Sequence, residues 1–420
     1  MSTRRVFSAI LVGAILAATL SWPAQAATLE AGSGQKYPGL KAALAAAAPG
    51  DEIRLHAGRY AEGPLLIDKP LTLSGVGRPV LDGRNQDPIL TVRASQVTIQ
   101  GLRLENPGSS SMKDLAGLRL ENLSDCRVID NQLDNAYFGI YLANVNRCVV
   151  SGNTVTGRAV RESTSGNAIH AWKSNALTIS DNTLSGHRDG IYLEFTRNSR
   201  IEKNHSHHNL RYGLHFMFSH GNGYYTNLFS ENGAGVAVMY THQIEMIGNR
   251  FVHNWGPSAY GLLLKDISGA SIRANLFERN TVAMHIEGSS RLTVRGNTFR
   301  QNGWAARVLS NSYDNRFLAN GFFGNTFDIA SNAADTSQSI NAFAGNYWDK
   351  YSGYDLDRDG VGDVPHHPVS LFSRLVENIP AATMLMRSFL VTTLDLAERV
   401  SPVLTPKTMV DKAPLMRRPS

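Results

Sequence analysis

Three features are scarce in this sequence, and each scarcity narrows the class of protein. Only two cysteines occur in 420 residues, and there is no run of five or six basic residues. The formal net charge of +6 is too small to indicate a nucleic-acid partner. Charges interrupt nearly every long apolar run, which argues against a membrane-embedded protein. Hydrophobic residues still make up 42% of the chain, which is enough for a globular core.

The N-terminus predicts an export signal. Arg4 and Arg5 supply a positive start, residues 6–20 are apolar, and residues 24–26 (AQA) form a small-x-small cleavage site. The apolar run is shorter than the roughly 20 residues that cross a bilayer, so a cleaved signal is favoured over a retained anchor. We therefore expect a mature chain of 27–420 in an oxidising compartment outside the cytoplasm.

The strongest signal is an internal repeat of about 22 residues. Asparagine recurs in a similar frame, each time after a short alternating apolar stretch, at Asn106, Asn131, Asn153, Asn182, Asn204, Asn227, Asn249, Asn275, Asn297 and Asn320. Some way before most of them a Gly or Ala opens a strand, as in GIYLANV, GIYLEFT and GLHFMFS. Short strands and tight turns at this period are typical of a solenoid, in which each coil buries its apolar face against the next.

This repeat predicts an all-β fold, a right-handed parallel β-helix over 27–369. Stacking in register places equivalent residues about 4.8 Å apart, and asparagine suits such a column because its amide both donates and accepts. A leucine-rich repeat is disfavoured because its leucine consensus and helical half are missing from the sequence. An Ala-rich helix at 37–48 is expected to cap the N-terminal end, and 157–165 to form an exposed loop.

Alternation within each strand separates inward from outward side chains. Counted from the opening Gly or Ala, positions two and four are apolar and belong in the core, so positions three and five face solvent. Position three holds Arg119, Tyr141, His170, Tyr192, His215, Ala237, Leu263 and His285 in successive coils. Position five holds Glu121, Ala143, Trp172, Glu194, Met217, Met239, Lys265 and Glu287.

Two methionines stand out on this face, because methionine is normally buried. Met217 and Met239 are predicted to stack there, two residues along the strand from His215. Thioether sulfur and imidazole in an oxidising compartment favour copper, above all Cu(I). Three interpretations stay open. The face is an ordinary surface, or it packs against another protein, or it holds a transient Cu(I) site at His215, Met217 and Met239. The anchors of the second interpretation are Trp172, Tyr192, Met217 and Met239. The second and third interpretations are compatible.

Further histidines lie on the same face and in one turn. His220 and His242 occupy position eight of consecutive coils and are assigned to the partner-binding face. The string HSHHN places His205, His207 and His208 after a repeat asparagine. A solvated polar turn is favoured there, because the equivalent histidine two coils later would lie about 10 Å away.

The two cysteines, Cys126 and Cys148, fall at the same inward position of consecutive coils. Their Cα atoms would lie about 5 Å apart, inside the range of a disulfide. Parallel strands can also aim both sulfurs in one direction. A disulfide and two buried thiols therefore both stay open.

An acidic segment near the C-terminus partly matches an EF-hand loop. Asp355, Asp357 and Asp359 copy its first half, and Asp363 stands at loop position nine. His366 replaces the glutamate of position twelve. A partial calcium site and a turn closed by aspartate side chains are the two alternatives.

The region 370–420 lacks strand alternation. Its stretch 381–394 has a single charged residue and is too short to span a bilayer. We expect a helix that lies on a membrane surface or in a groove of a membrane partner, or one that packs back on the solenoid, followed by a mobile tail from 401. The apolar residues that would contact the partner are Met384, Met386, Phe389 and Leu390.

Several strings together resemble the NosD family, the exported maturation protein for nitrous oxide reductase: SGNAIHAW, GHRDGIYLEF, RYGLHFMFSH, GAGVAVMY and NYWDKYSGYDLDRDGVGD. The resemblance covers nearly the whole mature chain. It implies a β-helix that works with an ABC transporter permease and its ATPase, a membrane-anchored copper chaperone and the reductase, during assembly of the copper–sulfur centre. Residues 371–400 would then dock on the permease. The resemblance fixes no copper ligands.

An enzyme is the competing class, since parallel β-helices include polysaccharide lyases and uronan epimerases. Such chemistry needs a base, and a cation that neutralises the substrate carboxylate. His187, Arg188 and Asp189, followed by Tyr192 and Glu194, match this requirement. A passive carbohydrate-binding module is a third class. We expect that the protein is not an enzyme.

Overall fold

The computed structural model describes residues 26–86, 88–110, 115–256, 259–333, 341–385, 388–400 and 405–418. Within these residues short parallel strands alternate with turns and wind into a β-helix, which confirms the predicted fold. Each full coil contributes one strand to each of three sheets, named A, B and C in chain order. Residues 1–25 of the predicted signal, and Met386, lie outside the described residues.

The strands of the three sheets have the following bounds. Sheet A contains Thr28–Ala31, Glu52–His56, Thr72–Val76, Thr98–Gln100, Arg127–Ile129, Val149–Ser151, Thr178–Ser180, Arg200–Glu202, Gly223–Tyr225, His242–Ile247, Ser268–Arg273, Thr293–Arg295, Arg316–Leu318 and Ala342–Ala344. Sheet B contains Arg59–Tyr60, Val80–Asp82, Arg103–Glu105, Gln132–Asp134, Thr154–Thr156, Thr183–Ser185, His205–His207, Leu228–Ser230, Arg250–Val252, Leu276–Glu278, Thr298–Arg300, Gly321–Phe323 and Tyr347–Trp348. Sheet C contains Leu65–Ile67, Leu90–Val92, Ala116–Ser124, Phe138–Asn146, Asn167–Trp172, Asp189–Glu194, Tyr212–Met217, Ala234–Met239, Tyr260–Lys265, Val282–Glu287, Trp304–Val308 and Phe327–Ala330.

Inward side chains stack into columns along the solenoid. Leu214 pairs with Val236 on the next coil of sheet C, and both are fully buried. Phe251, Phe277 and Phe299 stack nearly parallel, with ring centroids 4.6 and 4.9 Å apart. Each coil therefore buries its apolar residues against the equivalent residues of its neighbours, as the repeat predicts.

A buried asparagine ladder follows the turn between sheets A and B. Asn227 Nδ2 donates to Asn249 Oδ1 at 2.9 Å, and the backbone N–H of Asn227 donates to the same oxygen at 3.0 Å. The same pattern links Asn131, Asn153, Asn182, Asn204, Asn227, Asn249, Asn275, Asn297, Asn320 and Asn346. Each amide thus satisfies backbone groups that the turn would otherwise bury unpaired.

The first member predicted for this ladder is wrong. Asn106 lies one turn further along, where its Oδ1 accepts from Asn135 Nδ2 at 2.8 Å. Leu102 takes the ladder position of that coil, and its N–H donates to Asn131 Oδ1 at 3.1 Å. The coil before Asn131 has no asparagine at the ladder position. The sequence pattern therefore selected Asn106, which lies four residues beyond that position.

The N-terminal end is covered as expected. The helix Leu40–Ala46 buries Leu40, Ala43 and Leu44 against the first coils. Its N-terminus has no capping side chain of its own, and the Glu62 carboxylate accepts from the backbone N–H groups of Leu40 and Lys41 instead. The predicted loop at 157–165 contains the short 3₁₀ helix Glu162–Thr164, which is exposed.

The two cysteines form a disulfide between consecutive coils. Cys126 and Cys148 are bonded with their Cα atoms 4.6 Å apart. Both side chains are buried at the predicted inward position. Of the two alternatives left open by the sequence, the structure contains the disulfide.

The C-terminal region differs from the predicted single helix over 381–394. The structure contains the helix Leu371–Asn378, the 3₁₀ helix Pro380–Leu385 and the helix Phe389–Val400. Phe372 and Val376 pack on Phe327 of the last described sheet C strand. One part of this region is therefore anchored on the end of the solenoid.

Residues 405–418 also differ from prediction, because they are not a free tail. Asp411 is fully buried, and its Oδ2 accepts from the backbone N–H and Nδ2 of Asn346 at 3.1 and 2.8 Å and from Trp348 Nε1 at 3.1 Å. Without Asp411, the backbone N–H of Asn346 would lack an acceptor and its Nδ2 would keep only the Phe317 carbonyl. The tail is thus held because it completes the ladder.

Candidate metal centre on the outer face of sheet C

The outward columns of sheet C have the register that the sequence predicts. His215 pairs with Tyr192 on one side and Ala237 on the other, and Met217 pairs with Met239. Both methionines are half-buried, whereas the residues before them in each strand are fully buried in the core. The thioethers therefore stack on the outer face.

His215 belongs to the same face but is covered by its neighbours. The rings of Tyr192 and Tyr212 lie with their centroids 4.9 Å from that of His215, and His215 is only 3% exposed. Neither ring nitrogen has a hydrogen-bond partner among the described residues. Buried imidazole nitrogens are normally satisfied, so this one has unused capacity for a ligand.

Asp189 supplies the nearest charge to this histidine. Its Oδ2 lies 3.7 Å from His215 Nδ1 and 3.4 Å from Arg188 Nε, and its Oδ1 accepts from the backbone N–H of Tyr212 at 3.3 Å. At 3.7 Å the carboxylate faces Nδ1 without a hydrogen bond to it. The arrangement leaves His215 Nε2 as the candidate donor atom.

The donor set fits a soft monovalent ion. Met217 and Met239 are thioethers on consecutive coils, His215 is two residues away on the same face, and Ala237 beside it is small. The Tyr192 hydroxyl contacts Met217 Sδ at 3.9 Å, and burial raises the pKa of Tyr192 to about 12. The tyrosine therefore stays neutral and adds no competing anion. Two sulfurs and one imidazole are the ligands that Cu(I) prefers.

Sequence analysis gave Asp189 only to the enzyme alternative and missed its contact with His215. The two residues lie on adjacent coils, but at different positions of their strands. The covering rings were also missed. The signal was present in the sequence, since Tyr192 immediately precedes His215 in the position-three column. Alternation along a strand predicts the direction in which a side chain points. Its burial depends in addition on neighbouring side chains from three strands.

The residues that the enzyme alternative requires do not all lie together in the structure. His187 does not join Asp189: its Nδ1 contacts the Ser185 carbonyl at 2.9 Å, and its ring lies against Gly157. It lines a cavity of about 190 Å³ under the 157–165 loop. Burial lowers the pKa of His187 to about 4. Asp189 has His215 as its imidazole neighbour instead.

The predicted partner residues lie beside an aromatic stack that sequence analysis missed. Phe195, Phe218 and Tyr240 stack on consecutive coils with centroids 5.3 and 5.2 Å apart, and all three are exposed. His220 and His242 stack next to them at 3.9 Å, and the His242 backbone N–H donates to His220 Nδ1. All three aromatic residues have left-handed backbones, which is unusual for bulky side chains.

Trp172 is the remaining residue of the outer face that the sequence assigns to partner binding. Trp172 is half-buried, with Lys173 Nζ 4.3 Å from its ring centroid.

Carboxylate oxygens of Asp355, Asp357 and Asp359 lie within 4.8 Å of one another, which suits a cation. Asp363 instead accepts from the backbone N–H of Leu356 at 2.7 Å. The calcium loop stays a prediction.

The C-terminal region leaves a row of apolar side chains uncovered. Met384 is 91% exposed, Phe389 85% and Leu390 47%. Val391 and Leu394, on the other side of the same helix, pack toward the cluster around Phe372. The region therefore has one face on the solenoid and one face open. No helix in the described residues is both long and apolar enough to cross a membrane.

Solved structures with a similar fold define the class. The catalytic unit of a GH87 alpha-1,3-glucanase from Streptomyces thermodiastaticus has a TM-score of 0.58 at 16% identity, over 80% of this chain and 70% of that chain. The surface adhesin PfbA of Streptococcus pneumoniae has a TM-score of 0.54 at 12% identity, over 70% and 87%. A variant of the periplasmic alginate epimerase AlgG has a TM-score of 0.51 at 15% identity, over 64% and 77%. At these identities only the fold is shared, and the class is that of parallel β-helix proteins.

The sequence comparisons define the family within this class. The family model described as "Periplasmic copper-binding protein (NosD)" matches residues 154–353, which include the candidate metal centre. A protein of Pseudomonas aeruginosa named "Probable ABC transporter binding protein NosD" is 30% identical over 382 residues, 87% of this chain and 88% of its own length. A protein of Stutzerimonas stutzeri with the same name is 28% identical over 87% of both chains. The chain belongs to the NosD family, a family of periplasmic binding proteins.

Proposed function

We propose that the protein is a periplasmic accessory protein for assembly of the copper site of nitrous oxide reductase. In this proposal it is the exported component of an ABC transporter complex, delivered by its N-terminal signal. It serves as a docking platform for a copper chaperone and for the reductase. The observation that carries the proposal is the buried His215, with no ring-nitrogen partner among the described residues, beside the stacked Met217 and Met239.

The geometry supports a site that holds copper transiently. The methionines are half-buried on an outer face, so a partner that docks there can reach them. Copper bound by two thioethers and one imidazole stays Cu(I), and it can pass to a site with more sulfur ligands by ligand exchange. The Tyr192 and Tyr212 rings exclude water from the imidazole, and the Asp189 carboxylate lies 3.7 Å from its Nδ1. A transient copper site agrees with the copper-binding description of the family.

A Cu(I) titration against a competing chelator tests this site. The variant Met217→Leu/Met239→Leu keeps the volume of both side chains and removes both sulfurs. We expect its Cu(I) affinity to fall at least about tenfold. Met384→Leu, which removes an exposed methionine of the C-terminal region, is the matched control and should bind as the wild type does. Equal affinities of the double variant and the wild type would remove the site.

The open apolar row of the C-terminal region supports docking on the transporter permease. Two relatives of this chain, from two organisms, are named as probable ABC transporter binding proteins. Phe389 and Leu390 are exposed side by side, as is typical of a helix that enters a groove of a partner. Through this contact the protein would be held at the membrane.

Co-purification with the permease and its ATPase tests the docking. Phe389→Glu/Leu390→Glu should abolish it, because two charges would have to be buried without partners. Val160→Glu, a charge placed on an exposed valine of the 157–165 loop, should leave it unchanged. Full retention of the complex by the double variant would contradict the docking. Point variants are preferable to truncation at 370, since truncation also removes Asp411 from the asparagine ladder.

The outer face of sheet C is the proposed contact for the chaperone and the reductase. Trp172 and Tyr192 lie on this face together with the methionines, and His220 and His242 follow at its edge, where the chain passes from sheet C to sheet A. The exposed stack of Phe195, Phe218 and Tyr240 adds apolar area of the kind that protein interfaces use. Cross-linking from position 218 should capture the chaperone or the reductase. Capture of neither in a strain that expresses both would contradict the assignment.

An epimerase or lyase is the second candidate, because Asp189, His215, Tyr192 and Arg188 meet on one face. A base, a cation and a phenol are the groups that proton abstraction beside a carboxylate needs. An alginate or pectin assay discriminates the candidates: an enzyme would turn over and would lose activity on Asp189→Asn. A binding module would show saccharide affinity without turnover. We expect neither.

A further inference from the structure

The histidine group of sheet B lies one turn before the candidate copper centre along the chain. In the strand His205–His207, Ser206 is fully buried, so His205 and His207 face outward. His208 follows with a left-handed backbone at φ 51°. The sequence favoured a solvated turn at this place, but the structure brings ring nitrogens of His207 and His208 as close as two ligands of one ion.

The three imidazoles and one carboxylate contact each other directly. His207 Nδ1 and His208 Nδ1 lie 2.8 Å apart, and the ring centroids of His205 and His207 are 4.3 Å apart. Glu231, one coil further on, places Oε2 2.7 Å from His208 Nε2. His205 Nε2 contacts Ser230 Oγ at 3.0 Å. The cluster is exposed enough to exchange a ligand with solvent.

The proton positions follow from these contacts. A carboxylate only accepts, so His208 Nε2–H donates to Glu231 and the lone pair of a neutral His208 lies on Nδ1. That lone pair accepts from His207 Nδ1–H. A carboxylate that holds the remote N–H of an imidazole is the arrangement by which proteins orient a metal-binding histidine. Glu231 therefore presents His208 Nδ1 as a ligand atom.

The two Nδ1 atoms are held at the distance of an N–H···N hydrogen bond, and two ligands of one metal ion lie about equally close. With metal–nitrogen bonds of about 2.0–2.1 Å, two nitrogens lie about 2.8–3.0 Å apart at a right angle and about 3.3 Å apart in a tetrahedron. The observed separation is 2.8 Å. When an ion enters, the His207 proton moves from Nδ1 to Nε2 through solvent. Rotation of the two rings turns both Nδ1 lone pairs from each other toward the ion, and no net proton is released.

We propose that His205, His207 and His208 form a second metal site, which takes a divalent first-row transition-metal ion. His207 and His208 supply the two preformed ligands, a side-chain rotation of His205 supplies the third, and solvent completes the shell. Glu231 is a positioning residue for His208. Because the ligands are imidazoles without sulfur, the site prefers Cu(II) or Zn(II) to Cu(I), and Cu(II) to the other divalent ions.

This site goes beyond the proposed function and differs from the sheet C centre in its ligands. His253 follows Glu231 by one further coil at the same turn position, so the carboxylate separates it from His208. It therefore serves as a matched control within the same column. Asparagine is the replacement of choice at His208, because it tolerates the left-handed backbone of that position.

Titration of the untagged full chain with Cu(II), against a chromophoric chelator at neutral pH, tests the proposal. His207→Asn/His208→Asn should weaken Cu(II) binding at least about a hundredfold and should remove nitrogen couplings from the Cu(II) electron paramagnetic resonance spectrum. Glu231→Gln should weaken binding about tenfold. Circular dichroism verifies that each variant keeps the β-helix.

Two further variants separate this site from other metal sites. His253→Asn should bind Cu(II) as the wild type does. Met217→Leu/Met239→Leu should keep Cu(II) binding while it loses Cu(I), so that failure of either site is visible independently. Wild-type Cu(II) affinity in the His207→Asn/His208→Asn variant would overturn the proposal. An equal loss in His253→Asn would also overturn it, because binding would then be spread over any surface histidine.

Discussion

The asparagine ladder inside the solenoid and the outer columns of sheet C belong to the same coils but obey different rules. From Asn131 to Asn346 every member of the ladder is the same residue. On the outer face, position five changes at almost every coil and repeats only at Met217 and Met239 among the central coils. Inside, each side chain must satisfy the next coil. Outside, water satisfies polar groups, so repetition there has another cause, which we take to be a ligand.

The largest effect should come from breaking the ladder in its middle. Asn227→Ala removes the acceptor of two donors from Asn204 and the donor to Asn249 Oδ1 and to the Ile201 carbonyl. The Asn204 backbone N–H then stays buried without its acceptor. Asn204 Nδ2 keeps only the Ile179 carbonyl, and Asn249 Oδ1 keeps only the backbone N–H of residue 227. We expect the free energy of unfolding to fall by about 3–5 kcal/mol, measured by denaturant titration.

The matched control is an asparagine pair that joins two coils at the surface. Asn175 Oδ1 accepts from Asn198 Nδ2 at 2.9 Å, in the same kind of amide contact. Water replaces that contact when it is lost, so Asn175→Ala should cost less than about 1 kcal/mol. Similar losses in both variants would contradict the view that burial, rather than the amide contact itself, makes the ladder indispensable.

The end of the ladder should be the next most sensitive point. Asp411→Ala removes the acceptor for Asn346 and Trp348. We expect a loss of about 2–4 kcal/mol and faster amide hydrogen exchange in the last coil. The exposed neighbour Lys412 provides the control, since Lys412→Ala should change neither. Unchanged exchange in the Asp411→Ala variant would show that the tail contributes nothing to the ladder.

These two regions also show how far the sequence alone could be read. A repeat of coils fixes direction and register, so the core columns and the Met217–Met239 pair were predictable. The burial of His215 depends on rings from neighbouring strands. Asp411 contacts Asn346 from 65 residues away, and no sequence repeat predicts that contact. Such contacts come from tertiary packing, which periodicity does not encode.

Buried histidines should give the protein a stability that depends on pH. Burial lowers the pKa of His170 to about 3 and the pKa values of His187, His285 and His366 to about 4, from 6.5 in the unfolded chain. Between pH 6.5 and 4 the unfolded chain binds more protons, so the free energy of unfolding should fall as the pH falls. Each histidine contributes up to about 1.4 kcal/mol per pH unit.

Urea titrations across this pH window measure the slope. His187→Gln should lower it by about one proton, whatever its effect on stability at neutral pH. Asn175→Ala, which removes no titratable group, should keep the wild-type slope. A His187→Gln variant with an unaltered slope would mean that this ring is charged or solvated in the native protein.

The smallest effect on stability should come from the methionine pair on the outer face. Met217→Leu/Met239→Leu preserves side-chain volume on a half-buried surface, so the free energy of unfolding should change by less than about 0.5 kcal/mol. The same variant should lose Cu(I) affinity. A column whose repetition stabilises the fold would behave like the ladder, and its loss would lower stability by several kcal/mol. Denaturant titration of this variant therefore decides whether the methionine pair repeats for the fold or for a ligand, because only the second cause leaves stability intact.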